Sequence, residues 1–254
     1  MDFIRIIPCL DVKDGRLVKG VHFQDLRDVA DPADMGEEYS NAGADEIVFL
    51  DITATLDARK TMLDVVKRTA KRIKVPLTVG GGVRSVADFG ALLDAGASRV
   101  SINSAAVREP SLIEEAADQF GSDSVVIAID TRRNSGLASG FEVVINGGTK
   151  PTGKDAIEWA TEAEWMGAGQ VLPTSMDTDG TQAGYDIEMT RAIAEAVSIP
   201  VIASGGAGTL EHLDEAITDG KADAVLVASM FHFGTFTIKQ AKEYLASKGH
   251  RVKD

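Results

Sequence analysis

The chain is poor in the residues that cross-link, bind metals or mark membranes. A single cysteine, Cys9, stands among 254 residues. No internal disulfide can form, which fits a reducing compartment and predicts a cytoplasmic protein. Cys9 lies inside the first apolar run and reads as a core residue rather than a nucleophile. The four histidines, His22, His212, His232 and His250, show neither HxxxH nor HxH spacing, so no metal site is expected. His232, in "MFHF", reads as a structural residue at a helix start. No window reaches the roughly 18 apolar residues of a membrane span, and "MDFIRIIPCLDVKDG" lacks the apolar stretch and cleavage site of a signal peptide. Basic residues are scarce, 26 against 39 acidic for a net charge of −13, which argues against a nucleic-acid partner. GxSxG and the P-loop are both absent, and no GxGxxG follows the first apolar run; nothing calls for a cofactor.

What is present is a regular alternation. Short Val/Ile/Leu/Ala runs at Ile4–Leu10, Glu46–Leu50, Leu77–Val79, Arg99–Ile102, Ser124–Ile129, Gln170–Leu172, Pro200–Ala203 and Ala224–Val227 read as parallel strands covered on both faces. Helical patterns lie between them. One has Asp31 as its cap, Pro32 in its first turn and Gly43 as its stop. Others run from Ser85 to Gly96, from Pro110 to Gly121 and from Asp155 to Gly167. Eight strands alternating with helices over this length predict an α/β protein of the (β/α)8 barrel class, with a doubly wound open sheet as the competitor. The longest irregular stretch follows the fifth strand, and "FEVVING" within it reads as a small hairpin strand.

A repeat favours the barrel. "VPLTVGGGVRSVADFGALLDAG" from Val75 and "IPVIASGGAGTLEHLDEAITDG" from Ile199 align without a gap, 124 residues apart. Asp11 and Asp130, closing the first and fifth apolar runs, stand 119 apart. One barrel over residues 1–254, in halves of approximately 1–122 and 123–254, accounts for this spacing; an open sheet does not.

Active sites of such barrels lie at the carboxyl ends of the strands. Asp11 and Asp130 should therefore face each other across the mouth, where two carboxyl groups with split pKa values serve as acid and base. The bland reading of each is a loop cap or an ion-pair partner. The glycine clusters "VGGGVRS" and "ASGGAG" form a second opposed pair. Each runs into a helix N-terminus, which presents N–H groups to an anion. Asn103, Ser104 and Ser229 add neutral donors, and "DTDGT" (Asp177–Thr181) adds a tight turn. Two such sites predict a substrate with a phosphate at each end. Met189, Met230 and the aromatics read as core.

In order along the chain, "IIPCLDVKDGRLVKGVHF", "FLDITAT", "TVGGGVRS", "SINSAAV", "TSMDTDGTQAGYD" and "IASGGAG" resemble the cyclase-subunit family of imidazole glycerol phosphate synthase, from histidine biosynthesis. The resemblance covers essentially the whole chain. It implies a (β/α)8 barrel that takes ammonia from a partner glutaminase and converts the bisphosphate PRFAR to imidazole glycerol phosphate and AICAR. It implies Asp11 and Asp130 as the acid/base pair. One phosphate falls to Gly82, Asn103 and Ser104, the other to Asp179, Gly180, Gly206, Ala228 and Ser229. Lys19, in a glycine-flanked loop, matches the family's mobile loop. Ammonia enters such a barrel past a charged ring that Arg5, Glu46 and Arg99 match, while Gln170 stands where the family carries glutamate. Ser98 replaces an acid of the glutaminase interface, Trp165 and Met166 make a nearby helix end apolar, and Lys221 reads as an insertion in the "GADA" turn.

Two rivals stand beside this reading. The sister isomerase of the pathway shares the half-barrel repeat, the paired aspartates and the two phosphate sites, though "FLDITAT" and "TSMDTDGT" fit the cyclase better. A catalytically silent phosphosugar-binding barrel or engineered scaffold is the other.

Overall fold

The computed structural model describes residues 3–21, 24–52 and 56–253, with the backbone alone for residues 19–21, 24–29 and 56–59. Eight parallel strands carry the fold. They are β1 (Arg5–Lys13), β4 (Ile47–Asp51), β5 (Leu77–Gly80), β6 (Arg99–Ile102), β7 (Val125–Arg133), β10 (Gln170–Ser175), β11 (Ile202–Ala203) and β12 (Ala224–Val227). Each pairs with the next: Asp11 lies opposite Leu50, Gly80 opposite Ser101, and Asp130 opposite Thr174. Bridges from Val171 to Val201 and from Thr174 to Ser204 join β10 to β11. The last strand returns to the first, with Arg5 opposite Ala224. The sheet therefore closes, and the chain is a (β/α)8 barrel rather than an open doubly wound sheet.

Alternation along the strands sorts their side chains. Ile7, Cys9, Val48, Val126, Leu172 and Ile202 belong to a cluster made only of strand residues, the barrel's inner core. Ile6, Leu10, Phe49, Ile127 and Val171 point the other way and pack with the helices in the larger outer core. Because successive residues face opposite sides, Arg5 and Asp11 share the inward face with Ile7 and Cys9, and Asp130 shares it with Val126. Cys9, Met189 and Met230 are buried, as core residues should be.

The helix starts follow from local chemistry. Asp31 caps α1 (Pro32–Asn41) by accepting from Ala33 N, and Pro32 occupies its first turn. Ser85 caps α3 (Val86–Asp94), Thr209 caps α8 (Leu210–Thr218) and Asp155 caps α6 (Ala156–Trp165). α5 (Ser111–Phe120) ends at Gly121, whose φ of +84° only glycine takes easily. α2 (Leu56–Ala70), α7 (Ile187–Ala196) and α10 (Ile238–Ser247) complete the outer ring. Two short helices, α4 (Ser104–Arg108) and α9 (Ser229–His232), follow β6 and β12 directly.

The repeat survives in three dimensions. α3 and α8 are offset by 124 residues at both ends, and so are their caps Ser85 and Thr209. Downstream the offset grows to 125, from Arg99 to Ala224 and from Ser104 to Ser229. Lys221 is the additional residue, and it takes the left-handed conformation at φ +57°.

Three expectations are corrected. The apolar runs of the first and fifth strands do not end at their aspartates: β1 continues to Lys13 and β7 to Arg133, because each is prolonged by antiparallel pairing. β1 pairs with β2 (Arg16–Val21), which pairs with β3 (Gln24–Ala30); β7 pairs with β8 (Phe141–Ile145), which pairs with β9 (Lys150–Asp155). Lys19 therefore lies in a hairpin strand, not an irregular loop; its side chain, with His22 and Thr53–Thr55 of "FLDITAT", lies outside the described residues. His232 closes α9 rather than starting it. Its Nδ1 meets the Tyr39 hydroxyl at 2.6 Å and its Nε2 the Cys9 carbonyl at 2.8 Å, tying α1 and α9 to β1. Among the described residues no helix is long and apolar enough to cross a membrane.

Candidate active site

The two aspartates sit at the carboxyl-terminal mouth, on strands one and five of the eight and so on opposite walls. Both are half-buried. Burial pushes the Asp130 carboxyl up to about 6; a hydrogen bond from Asn103 pulls it back down, and the Asp179 carboxylate adds to the rise. The carboxyl therefore exchanges its proton near neutral pH, as an acid/base catalyst must. The Asn103 amide that serves Asp130 leaves its own Oδ1 without a hydrogen-bond partner among the described residues, buried at the mouth.

Both glycine clusters lie at this end. Gly81, at φ +94°, would place a Cβ 2.0 Å from the Asp51 carbonyl oxygen; Gly206, at φ +101°, would place one 2.0 Å from that of Gly184. No other residue fits either turn. Gly82 follows Gly81 in the same left-handed region, at φ +65°, and the turns lead into α3 and α8. Asn103 and Ala228 precede α4 and α9 without closing them by a side-chain cap, so Ser104 and Ser229 open two short helices at the same rim. Ser104 Oγ accepts from Asn146 N at 3.0 Å, fastening the β8–β9 turn beside it.

Asp179 lies in the turn that follows β10. Its N–H donates to the Ser175 carbonyl at 2.9 Å, and its carboxylate acts on Asp130. That carboxylate adds a like charge to the surroundings of Asp130. Gly180, next in the turn, has φ +75°.

At the opposite, amino-terminal end the four ring residues are brought together. Glu46, 1% exposed, accepts from Arg5 Nη1 at 2.8 Å and lies 3.2 Å from Arg99 Nη1. Arg5 Nη2 donates to Gln170 Oε1 at 2.9 Å. Sequence reasoning missed a fifth member: Thr78 Oγ1 donates to Glu46 Oε1 at 2.5 Å. The signal was its place on β5, inward by the same alternation. Burial lowers the Arg5 pKa against the pull of Glu46. Arg5 Nε and Arg99 Nε make no hydrogen bond among the described residues, and Arg99 Nη1 meets Glu46 as an ion pair without hydrogen-bond geometry. Ser98, Met166 and Lys221 lie on helix-to-strand connections at this end, and Trp165, the last residue of α6, is 82% exposed.

A closed barrel with opposed carboxyl groups, opposed glycine turns and helix starts gathered at one rim has the layout of a barrel enzyme. Residues 5–237 match the family model described as histidine biosynthesis protein, and the chain belongs to that family. The family holds both an isomerase and a cyclase of the pathway.

Proposed function

We propose that this chain is the ammonia-dependent cyclase of the pathway, acting on PRFAR to form imidazole glycerol phosphate and AICAR. The observation that carries this reading is the buried polar ring across the barrel floor. Burying guanidinium and carboxylate groups is costly unless they are paired, and a path for ammonia through the floor would give these groups a use beyond packing. A polar floor suits the entry of ammonia, which needs hydrogen-bonding partners along its path, toward a substrate held above.

At the mouth, ammonia adds to the substrate ketone and water leaves to form an imine. Closure of the ring then expels the amine of AICAR. Asp130, protonated in part near neutral pH, suits the acid that protonates the departing hydroxyl; Asp11 on the facing wall suits the base that takes a proton from the added nitrogen. The turn at Gly82 with Asn103 and Ser104, and the turn at Gly206 with Asp179, Gly180, Ala228 and Ser229, would hold the two phosphates. No cofactor enters this scheme. Lys19 belongs to the hairpin after β1, whose place beside Asp11 suits closure over the substrate.

The partner would be a glutaminase seated on the floor around Trp165 and Met166. Gln170 leaves the ring with one fewer acid than a glutamate would supply, and Ser98 removes another from this face, so we propose a weakened contact. Comparing glutaminase affinity and coupling of the parent and Gln170→Glu tests this; equally tight coupling in both would rule it out.

The reaction itself is tested with purified protein, PRFAR and an ammonium salt at alkaline pH, without glutaminase, following loss of substrate absorbance. Turnover that falls about 10²–10⁴-fold in Asp11→Asn and in Asp130→Asn supports the cyclase. Isomerisation of an aminoaldose without ammonia consumption would assign the sister activity. Tight bisphosphate binding without turnover would make the chain a silent barrel.

A further inference from the structure

Strand β7 runs three residues beyond Asp130, and its last residue, Arg133, grips the 176–186 loop between β10 and α7 at both ends. At the near end the Arg133 N–H donates to Asp177 Oδ2 at 2.9 Å. At the far end Nη2 donates to Asp186 Oδ1 at 3.0 Å and Nη1 to Glu188 Oε2 at 2.8 Å. The Asp186 side chain is 3% exposed. It is fixed from other directions as well: Oδ1 accepts from Met189 N at 3.1 Å, capping α7, and Oδ2 accepts from Ser175 Oγ at 3.3 Å. The guanidinium also lies 5.0 Å from the centre of the Phe141 ring, on the hairpin strand paired with Arg133, so packing holds the fork in place.

Between these anchors the loop carries Asp179 and Gly180. Its other side touches the second glycine turn: Gly184 N donates to Gly206 O at 2.8 Å, and Thr178 Oγ1 to Gly205 O at 3.4 Å. The loop thus spans from the strand of Asp130 to one of the two phosphate turns.

We infer that Arg133 is a positioning residue for the reaction at Asp130, holding the 176–186 loop so that Asp179 stays beside the acid and the Gly205–Gly206 turn keeps its shape. This rests on the reading of Asp130 as catalytic. Arg133 touches no reacting atom. Its side chain is 52% exposed, so its ion pairs add little to global stability; its importance is geometric. A fork engaging two carboxylates is a shape lysine cannot reproduce.

The test uses the full chain with Arg133→Met and Arg133→Lys. Carbon-13 NMR titration of aspartate carboxyl groups, with Asp130 identified by the signal lost in Asp130→Asn, reads the clamp without any substrate. Releasing the loop admits water and moves Asp179 away, so the Asp130 midpoint is expected to fall from about 6 toward the ordinary carboxylate range in both variants. In turnover assays a misplaced loop is expected to cost about 10–100-fold in kcat/KM, with KM raised and the alkaline limb of the pH profile, which reports the acid Asp130, moved to lower pH. A lower melting temperature with an unmoved Asp130 titration and an unmoved alkaline limb would overturn the inference. The titration holds whichever pathway reaction the chain performs, so failure of the cyclase reading leaves it a separate result.

Discussion

At the residue scale the decisive feature is one acid in two environments. Asp130 has the same side chain as any surface aspartate, yet burial beside a second carboxylate raises its pKa to about 6. The sign of the consequence follows from linkage. The folded state holds the proton more tightly than the unfolded chain, so stability is lost as pH rises from about 4 to about 6 and stays lower above. A shift of this size, discounted for partial accessibility, corresponds to roughly 1–2 kcal/mol. Asp130→Asn is therefore expected to be inactive but more stable than the parent at pH 8, the gain disappearing below pH 4; urea melts at the two pH values check it. The glycine turns give a prediction of opposite sign. Gly206→Ala would drive a methyl group to 2.0 Å from the Gly184 carbonyl, so it should lower the melting temperature sharply and weaken bisphosphate binding, read by calorimetry. The candidate aspartates and glycines were legible because residue type and position at an apolar run's end are local facts. Thr78 and Arg133 were not: a threonine in a strand and an arginine after one have no signature until their partners, Glu46 and Asp186, arrive from distant segments.

At the element scale, helix starts were the most legible part of the chain. Asp31, Ser85 and Asp155 each cap the helix expected of them, because a cap is a bond between neighbours in sequence. Thr209 adds a full capping box with His212. Thr209→Ala is expected to cost about 1 kcal/mol, visible as a shift in denaturation midpoint without a change in slope. Of the elements built by antiparallel pairing, β8 was expected within "FEVVING", while β2, β3 and β9 escaped. β2 and β3 are rich in charge, and nothing in their pattern announces strands; they form because β1 offers a paired edge beyond Asp11. β7 repeats the device beyond Asp130 with β8 and β9. Each aspartate thus sits within a strand, Asp11 opposite Leu50 and Asp130 between Thr174 and Val144, instead of on a loose loop end. The insertion at Lys221 shows how the fold tolerates one surplus residue: the left-handed turn falls on the inserted lysine, and β12 resumes with its inward face intact.

At the scale of the whole molecule, closure of the barrel makes one end a mouth and the other a floor. The floor ring unites residues up to 165 positions apart, Arg5 with Gln170, and no local pattern contains it. Glu46 is its centre, answering Arg5, Arg99 and Thr78 together. Glu46→Gln would leave two arginines without their counter-charge, and removing one partner of a buried pair typically costs about 3–5 kcal/mol; a loss of that size in urea unfolding is expected. Gln170→Glu, placing a second acid beside Arg5, is expected to be neutral or stabilising by the same measurement.

The sequence by itself determined what depends on neighbours along the chain: the alternation of strand and helix, the caps, the glycine turns and the repeat that made a barrel the natural reading. It also marked Asp11 and Asp130. Only the tertiary structure decided how far the aspartate strands run, that Asp179 stands against Asp130, that Thr78 joins the floor ring and that Arg133 grips the neighbouring loop. The division has one physical cause. Periodicity and capping are written in spacings of two to four residues, whereas a pKa, an ion pair or a paired edge is set by groups that meet only when the sheet closes.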